Sequence, residues 1–329
     1  MAVAEPIGIL GLGTSLAKGT LPPAALARLH GVTEEDAARV LGGARVFLSD
    51  EPGDAHAVAA ARACLAQAGV AASEIDCVMW ASTSKRRAPF AAASLAIDAL
   101  GATEAFGLDL GSNCSELLTG MRFARAMLRD DPSLRHVLLL AGEQWRDWLP
   151  GRSLEPLDGA SAPNVMSDGG AAVLVGRTER RALVGFGFAT HGRYHDLAQL
   201  SVEVEDGRAV ERNRLRADFP RDQQLALDLT RLFRKALGRC LTSSGLERTD
   251  VDHLIFPFSP PGMQAAFARA LGLAPEKLVQ EESAPTHIGA PDLIHGLEIL
   301  ERSGRPAAGQ RVLLGARSIG IMRFAVIRL

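Results

Sequence analysis

The sequence predicts a layered α/β fold that is built from two similar halves. The first observation is an alternation of strand and helix patterns: Pro6–Leu12 reads as a buried strand, Ala55–Ala68 as a helix, Ile75–Ser82 as a strand and Phe90–Leu100 as a helix. Such alternation is typical of layered α/β proteins. The second observation is that the same succession of patterns returns in the second half of the chain, which predicts an internal duplication.

The two copies align with a constant offset of 176 positions. Each copy reads as a helix, a glycine-capped turn and then a strand. The offset pairs Cys64 with Cys240, Gly69 with Gly245, Asp76 with Asp252 and, in the next unit, Gly120 with Gly296. Several consecutive units in one register make coincidence improbable. We therefore expect two α/β halves, 1–176 and 177–329, packed against each other.

Composition excludes several classes of protein. The chain has 329 residues, of which 47% are hydrophobic and 22% charged, so it can form a large core and is not a disordered chain. The net charge of −2 gives no general attraction to nucleic acid or to anionic membranes. No apolar run reaches the roughly 18 residues of a membrane helix, and the N-terminus lacks the pattern of a signal peptide. We expect a cytoplasmic protein that binds neither nucleic acid nor membrane.

The four cysteines are scattered along the chain and include no CxxC pair: Cys64, Cys77, Cys114 and Cys240. This arrangement suggests neither a disulfide framework nor a zinc site, and we expect no metal. A cysteine with a chemical function in this chain should therefore act alone.

Cys114 has the sequence context of a nucleophile. The segment GLDLGSNCSELLTG runs from a short strand through Gly-Ser-Asn into an apolar-periodic helix, which places Cys114 at a strand-to-helix turn. Amides at a helix N-terminus favour the thiolate form and can hold a developing oxyanion. The alternative is a buried structural cysteine, which is the commoner fate of this residue type.

His287 is the candidate base. It lies in a second Pro- and Gly-containing turn that enters a helix, and the repeat register makes Ala290 the counterpart of Cys114. The two turns should therefore face each other across the pseudo-twofold axis. Asp292, five residues after His287, can reach the other ring nitrogen, which would complete a nucleophile, base and orienting carboxylate. Asp292 is as readily explained as a helix N-cap, and the two roles can coexist.

Two further motifs are weaker. His191 and His195 flank Tyr194, the chain's only tyrosine, but no acidic companion completes a helical zinc motif, and we expect a loop near the substrate entrance. The N-terminal GILGLG lacks the helix and the acidic residue of a dinucleotide fingerprint, and we interpret it as a tight turn after the first strand.

Three further segments are interpreted as a turn and as loops or lids. The stretch NVMSDGGAAVLVG, from Asn164, reads as a turn that leads into a buried strand. Trp148–Pro163 and Glu203–Gln223 are the most polar irregular stretches, and we expect them to form surface loops or lid segments.

Taken together, three segments resemble the thiolase-fold condensing enzymes, most closely β-ketoacyl-acyl carrier protein synthase III. DLGSNCSELLTG resembles the nucleophile turn of that family, MSDGGAAVLVG its Gly-rich strand turn, and GARSIGIMRFAVIRL its C-terminal glycine turn and last strand. The resemblance covers nearly the whole chain. It implies a thiolase-like αβαβα five-layer homodimer. It also implies an acyl group delivered from coenzyme A or acyl carrier protein through a pantetheine tunnel, with no permanently bound cofactor.

The chain departs from the Cys-His-Asn set of those enzymes. It has Pro257-Phe258 where they have the histidine and His287 where they have the asparagine, so the two groups that stabilise an enolate are replaced. The HIGAPD segment instead resembles synthase III-like acyltransferases of antibiotic pathways, in which Cys, His and Asp form the triad. Ser318 stands at the family's oxyanion glycine and keeps a backbone N–H.

The family's adenine clamp, a tryptophan and an arginine, has no clear match in Thr20–Leu48, and of the basic residues on the docking helix Arg269 remains. The leading hypothesis is an acyltransferase in which Cys114, His287 and Asp292 form the triad, with the N–H groups of Cys114 and Ser318 as oxyanion donors. The acceptor would be a small molecule with an oxygen, nitrogen or carbon nucleophile. The alternatives are a carbon–carbon condensing synthase and a non-catalytic partner of an active synthase.

Overall fold

The computed structural model describes residues 5–30, 33–41, 44–84, 91–111, 113–145, 166–195, 198–205, 208–215, 223–259, 261–281, 284–318 and 320–329. The strands within these ranges are β1 (Ile7–Leu16), β2 (Gly19–Leu21), β3 (Val46–Leu48), β4 (Cys77–Trp80), β5 (Phe106–Asp109), β6 (His136–Glu143), β7 (Gly169–Arg177), β8 (Ala182–Thr190), β9 (Ala198–Glu205), β10 (Arg208–Leu215), β11 (His253–Ile255), β12 (Arg311–Ser318) and β13 (Ile321–Arg328). The helices are α1 (Pro23–His30), α2 (Glu34–Leu41), α3 (Gly53–Ala68), α4 (Ala92–Leu100), α5 (Glu116–Asp130), α6 (Gln223–Ser244), α7 (Pro261–Ala270) and α8 (Asp292–Arg302).

The main sheet has the strand order β11-β12-β13-β8-β1-β7-β6-β4-β5. Its two parts belong to the two halves of the sequence, and they meet where β1 pairs with β8 at Gly8 and Ala182. The strands are arranged in the same way on both sides of this junction. From the junction outward, β1 is followed by β7, β6 and β4, and β8 is followed by β13, β12 and β11. The mirrored order agrees with an internal duplication, while the division of the chain at residue 176 stays a prediction.

Helices form layers outside and between the two parts of the sheet. Helix α3 contacts β1, β6 and β7 on one outer face, and α6 contacts β8 and β13 on the other. Helices α5 and α8 lie in the middle, because α5 contacts both β7 and β13 while α8 contacts both β7 and β12. The central core is correspondingly built from buried residues of both halves, such as Met121 of α5 and Leu297 of α8. The result is a five-layer αβαβα arrangement.

Gly11 and Gly13 of GILGLG serve helix packing, and the predicted tight turn is wrong. Strand β1 continues through this segment to Leu16. A Cβ atom added at Gly13 would lie 2.2 Å from the carbonyl oxygen of Ala60 in α3, so only glycine lets the helix approach this strand. The second half repeats the contact: a Cβ at Gly187 in β8 would lie 2.0 Å from the carbonyl oxygen of Ala236 in α6. Ala60 and Ala236 are again 176 positions apart.

Two polar segments were expected to be loops. Most of Glu203–Gln223 is instead a hairpin arm, since β9 and β10 pair in antiparallel register from Ala198↔Leu215 to Glu205↔Arg208. The alternation of polar and apolar residues along β9 fits a two-stranded ribbon better than an irregular segment. Trp148–Pro163 lies outside the described residues. Within the described part of the chain, none of the helices has the length and apolar character needed to cross a membrane.

Candidate active site

Cys114 lies in a single-turn 3₁₀ helix, Asn113–Ser115, between β5 and the N-terminus of α5. Asn113 adopts a left-handed backbone conformation with φ of 52°, which asparagine tolerates better than most residues. Its backbone N–H donates to Oε1 of Glu116 at 3.1 Å and thereby fixes the turn. The predicted strand-to-helix turn is therefore present, and it holds the thiol at the point where the chain changes direction.

The other three thiols are unsuited to catalysis. Cys64, Cys77 and Cys240 are buried, and burial raises the pKa of each to about 12. Cys114 keeps a partly exposed side chain. Since the thiolate is the reactive form, Cys114 is the only one of the four cysteines that is placed to react with an incoming electrophile.

His287 and Asp292 form a close pair. The imidazole Nδ1 lies 2.5 Å from Oδ2 of Asp292, whose side chain has no exposed surface. The same carboxylate accepts the backbone N–H of Ile288 at 2.8 Å and that of Phe258 at 2.8 Å. Asp292 is the first residue of α8, and the N-cap position belongs to Pro291. The N-cap interpretation of Asp292 is thus wrong, because the carboxylate points back at the turn that carries His287.

The electrostatics of the site favour a protonated His287. Burial works against the charged imidazole, but the charges of Asp292 and Cys114 and hydrogen bonds to both outweigh it and raise the pKa of His287 to about 10. The histidine side chain keeps 25% of its surface exposed. The structure therefore brings Cys114, His287 and Asp292 together as an imidazolium between a sulfur and a carboxylate.

The turn around His287 is held by residues that the sequence analysis did not assign to the site. The backbone N–H of Ser167 donates to the carbonyl of His287 at 2.9 Å, and the indole N–H of Trp145 donates to the carbonyl of Ile288 at 2.6 Å. Ser167 belongs to the MSDGG motif, which had received a structural interpretation. The motif thus helps to hold the turn that carries His287.

Glu143 supports the same turn from the first half. It is fully buried at the end of β6 and accepts the backbone N–H groups of Thr83 and Ser84 at 2.8 and 2.7 Å. Burial raises the pKa of Glu143 to about 7. Gly289 passes so close that an added Cβ would lie 3.2 Å from the Glu143 side chain. The sequence signal for Glu143 is a glutamate at the end of the apolar run HVLLLAGE.

Phe258 occupies the position where a second hydrogen-bonding side chain would be expected. Its ring is buried in the central core, and its contribution to the site is the backbone N–H that binds Asp292. Opposite it, strands β12 and β13 both contact the 3₁₀ turn of Cys114. Their hairpin carries Ser318, which ends β12 and pairs with Ile321. The role of the Ser318 N–H as an oxyanion donor stays a prediction.

The His191 cluster is a structural feature of the second half. Tyr194 is buried in a single-turn helix and donates its hydroxyl to Asp228 at 2.7 Å, while Nε2 of His191 lies 3.8 Å from the same carboxylate. The backbone N–H of His191 donates to the carbonyl of Gly320, in the turn between β12 and β13. Among the residues that the structure describes, no cluster of His, Cys, Asp and Glu is arranged to hold a metal ion.

The fold defines the chain as a thiolase-like protein. It superposes on 3-oxoacyl-(acyl carrier protein) synthase III from Pseudomonas aeruginosa PAO1 with a TM-score of 0.80 and 21% identity over 98% of both chains. With OleA from Xanthomonas campestris the TM-score is 0.82, at 19% identity over all of this chain and 98% of that one. The predicted thiolase-like, duplicated five-layer fold is confirmed.

The sequence comparisons agree in naming one kind of relative. The chain is 27% identical over 273 residues to β-ketoacyl-[acyl-carrier-protein] synthase III of Acidiphilium cryptum, which covers 80% of this chain and 79% of that protein. The enzyme of the same name from Rhizorhabdus wittichii is 23% identical over 316 residues and 95% of each chain. No family model matches the sequence. The chain is thus a thiolase-fold protein whose sequence relatives are ketoacyl synthases III, and the likeness to antibiotic-pathway acyltransferases stays a prediction.

The His287 pair should make stability depend on pH. Because folding raises the pKa of His287 from 6.5 to about 10, its contribution is fully present below about pH 6.5 and is lost as the pH rises through 10. We expect the free energy of unfolding of the wild type to fall by a few kcal/mol over this interval, and His287→Gln to remove that part of the decline. Urea unfolding at pH 6 to 10 measures both.

His136→Gln, at the start of β6, is the control and should keep the wild-type decline. If the free energies of unfolding of the wild type and of His287→Gln change in parallel with pH, the Asp292 and Cys114 charges do not hold a proton on His287.

Proposed function

We propose that the chain is an acyltransferase that carries an acyl group as a thioester on Cys114 and passes it to a hydroxyl or amine. The observation that supports this most strongly is the imidazole of His287 between the accessible thiol of Cys114 and the buried carboxylate of Asp292. This is the arrangement of nucleophile, base and orienting acid that covalent acyl transfer requires.

In the first half-reaction the Cys114 sulfur attacks the carbonyl carbon of an acyl thioester. The backbone N–H groups of Cys114 and Ser318 receive the oxyanion of the tetrahedral intermediate. When the intermediate collapses, the bond to the donor sulfur breaks and imidazolium His287 gives its proton to the departing thiolate. The products are an acylated Cys114 and a free thiol.

In the second half-reaction His287 acts as a base. Acylation removes the interaction with the Cys114 sulfur, which is one of the interactions that raise the pKa of His287. His287 takes the proton of the acceptor hydroxyl or amine as its oxygen or nitrogen attacks the thioester carbon. Cys114 leaves as a thiolate beside the imidazolium, and Asp292 holds the ring in the same orientation throughout.

The donor is proposed to be a thioester of coenzyme A or of an acyl carrier protein. The sequence relatives are named for an acyl carrier protein, and OleA has been crystallised with lauric acid and lauroyl-CoA. The proposal for this chain rests on the shared fold and the thiol, and it leaves the acyl chain open.

Condensation is the second candidate, because the relatives are β-ketoacyl synthases. It requires a malonyl unit to lose carbon dioxide and become an enolate, whose oxygen needs hydrogen-bond donors. The side chain of Phe258 offers none, which favours transfer. A non-catalytic partner of an active synthase is the third candidate. The accessible Cys114 argues against it, because a non-catalytic subunit does not need a reactive thiol.

The fate of a malonyl group separates transfer from condensation. We expect the wild type, given a malonyl thioester and a hydroxyl acceptor, to form an ester that retains the malonyl carboxyl group. Mass spectrometry of the product and a carbon dioxide assay measure this, with Cys114→Ala as the background. Carbon dioxide released in step with product would favour condensation instead.

We also expect a homodimer that forms through β5. This strand is the last in the sheet, and its apolar side chains are open, with Phe106 45% and Leu108 41% exposed. An edge strand with exposed apolar groups is prone to pair with a second copy. Light scattering should give about 70 kDa, twice the chain mass of 34.8 kDa.

Leu108→Lys should shift this mass toward about 35 kDa, because a charge on an edge strand opposes pairing. Leu227→Glu, on the exposed face of α6, is the matched control and should remain dimeric. A wild type that stays at about 35 kDa at micromolar concentration would contradict the proposal.

A further inference from the structure

Arg317 is the charged residue beside the nucleophile that the mechanism does not use. It is the next-to-last residue of β12, and β12 contacts the 3₁₀ turn of Cys114. The charges of Cys114 and Asp292 both act on its guanidinium. Arg317 therefore lies on the nucleophile side of the hairpin that also carries Ser318.

Two apolar side chains contact Arg317. Its Nη2 donates to the Met263 sulfur at 3.9 Å, and its guanidinium carbon lies 6.0 Å from the centre of the Phe267 ring. Both partners belong to α7. No carboxylate of the described ranges forms an ion pair with Arg317. A guanidinium has five N–H donors, and a thioether is a weak acceptor, so most of its donor capacity is left for another group.

Arg317 is exposed near the end of β12, while the surrounding protein atoms lower the pKa of its guanidinium. An exposed guanidinium whose N–H donors have no carboxylate partner can bind an anionic group that arrives from solvent.

The position of the cation indicates which anion it meets. The phosphates of coenzyme A or of a carrier-protein arm lie a whole pantetheine chain away from the thioester carbon, so they are poor partners for a group beside Cys114. The Cys114 sulfur itself already has a hydrogen bond with His287. A carboxylate on the acyl group would reach the guanidinium while the carbonyl carbon is at the sulfur, and arginine binds carboxylates through two parallel hydrogen bonds.

We propose that Arg317 binds a carboxylate carried by the acyl group, so that the preferred donor is a thioester of a dicarboxylic acid. This inference rests on the proposed function and deepens it. Pairing with Arg317 would also oppose decarboxylation of a malonyl group, because the negative charge would have to leave the guanidinium for an enolate that Phe258 does not stabilise.

The first test uses two alkylating reagents of nearly equal size, one anionic and one neutral. Iodoacetate carries a carboxylate and iodoacetamide is neutral, and each transfers its carbon to the Cys114 sulfur with loss of iodide. The ratio of the two rates cancels any change in thiol reactivity. We expect Arg317→Met to lower the ratio of iodoacetate to iodoacetamide rates by about tenfold or more, the effect expected for a charge-assisted hydrogen bond. Arg317→Lys should keep part of the ratio.

Arg305→Met removes an exposed arginine in the turn after α8 and is the control, with the wild-type ratio expected. Cys114→Ala shows that the label reports on Cys114. An Arg317→Met ratio equal to the wild type would overturn the proposal. This includes an equal slowing of both reagents, since Arg317 would then act on the thiol alone.

The second test compares acylation by malonyl and succinyl thioesters with acetyl and butyryl thioesters. We expect the wild type to prefer the carboxylated donors and Arg317→Met to lose that preference by at least about tenfold. A preference for neutral donors in the wild type would overturn the inference. A different result is that no donor acylates the protein while the iodoacetate preference is intact. This result would contradict the proposed function and still support the anion site at Arg317.

Discussion

Cys114→Ala is expected to reduce acyl transfer by at least about 10⁴-fold and to abolish the covalent adduct, because removal of a nucleophile eliminates the whole two-step route. The effect should fall on kcat, since the donor can still bind. The measurement is the steady-state rate of product formation with the best thioester donor, together with the mass of the protein at the end of the assay.

Cys64→Ala is the matched control. Its thiol is buried in α3, with a pKa of about 12, and its removal should leave the rate close to that of the wild type. A Cys114→Ala protein with a rate within tenfold of the wild type would show that the acyl group never resides on this sulfur.

His287→Ala should separate the two half-reactions. Acylation of Cys114 should persist at a reduced rate, because a thiolate can still form and attack without the imidazole. Transfer to the acceptor should fall about 10²–10⁴-fold, which is the usual contribution of a general base and corresponds to roughly 3–5 kcal/mol of barrier. Single-turnover kinetics followed by mass spectrometry would show an acyl-enzyme that accumulates instead of turning over.

Asp292→Asn tests the orienting role in the same assay. The amide keeps the shape of the side chain but removes the charge that stabilises imidazolium, so transfer should slow while the acyl-enzyme still forms. Because the carboxylate also accepts N–H groups from Ile288 and Phe258, the folded fraction must be matched before rates are compared. A transfer step unchanged in both variants would assign the base to another residue.

The fold was predictable because the strongest signals are local and repeated. The 176-residue offset pairs Cys64 with Cys240, and both lie on helices that pack against a glycine of a strand. The same glycines misled the interpretation of GILGLG, since a short apolar segment with glycines fits a turn as well as a strand. Only the approach of α3, a contact distant in sequence, explains why glycine is required there.

The site was predictable in part. The position of Cys114 in its turn and the spacing of His287 and Asp292 are sequence features, and the structure places the three together. Arg317 and Glu143 were missed because their importance lies in tertiary position. Arg317 is the next-to-last residue of a strand that contacts the turn of Cys114, and Glu143 ends an apolar strand close to Gly289. Asp292 was ambiguous because an acidic residue at a helix start has the same sequence pattern whether it caps the helix or binds a histidine.

The most direct test is the mass of the intact protein after incubation with a panel of acyl thioesters, followed by peptide mapping. A panel of neutral and carboxylated acyl groups on coenzyme A and on an acyl carrier protein covers the proposed donors. The account predicts a mass increase of one acyl group, located on the peptide that contains Cys114 and absent from Cys114→Ala. An adduct that survives in Cys114→Ala, or no adduct with any donor in the folded wild type, would contradict it.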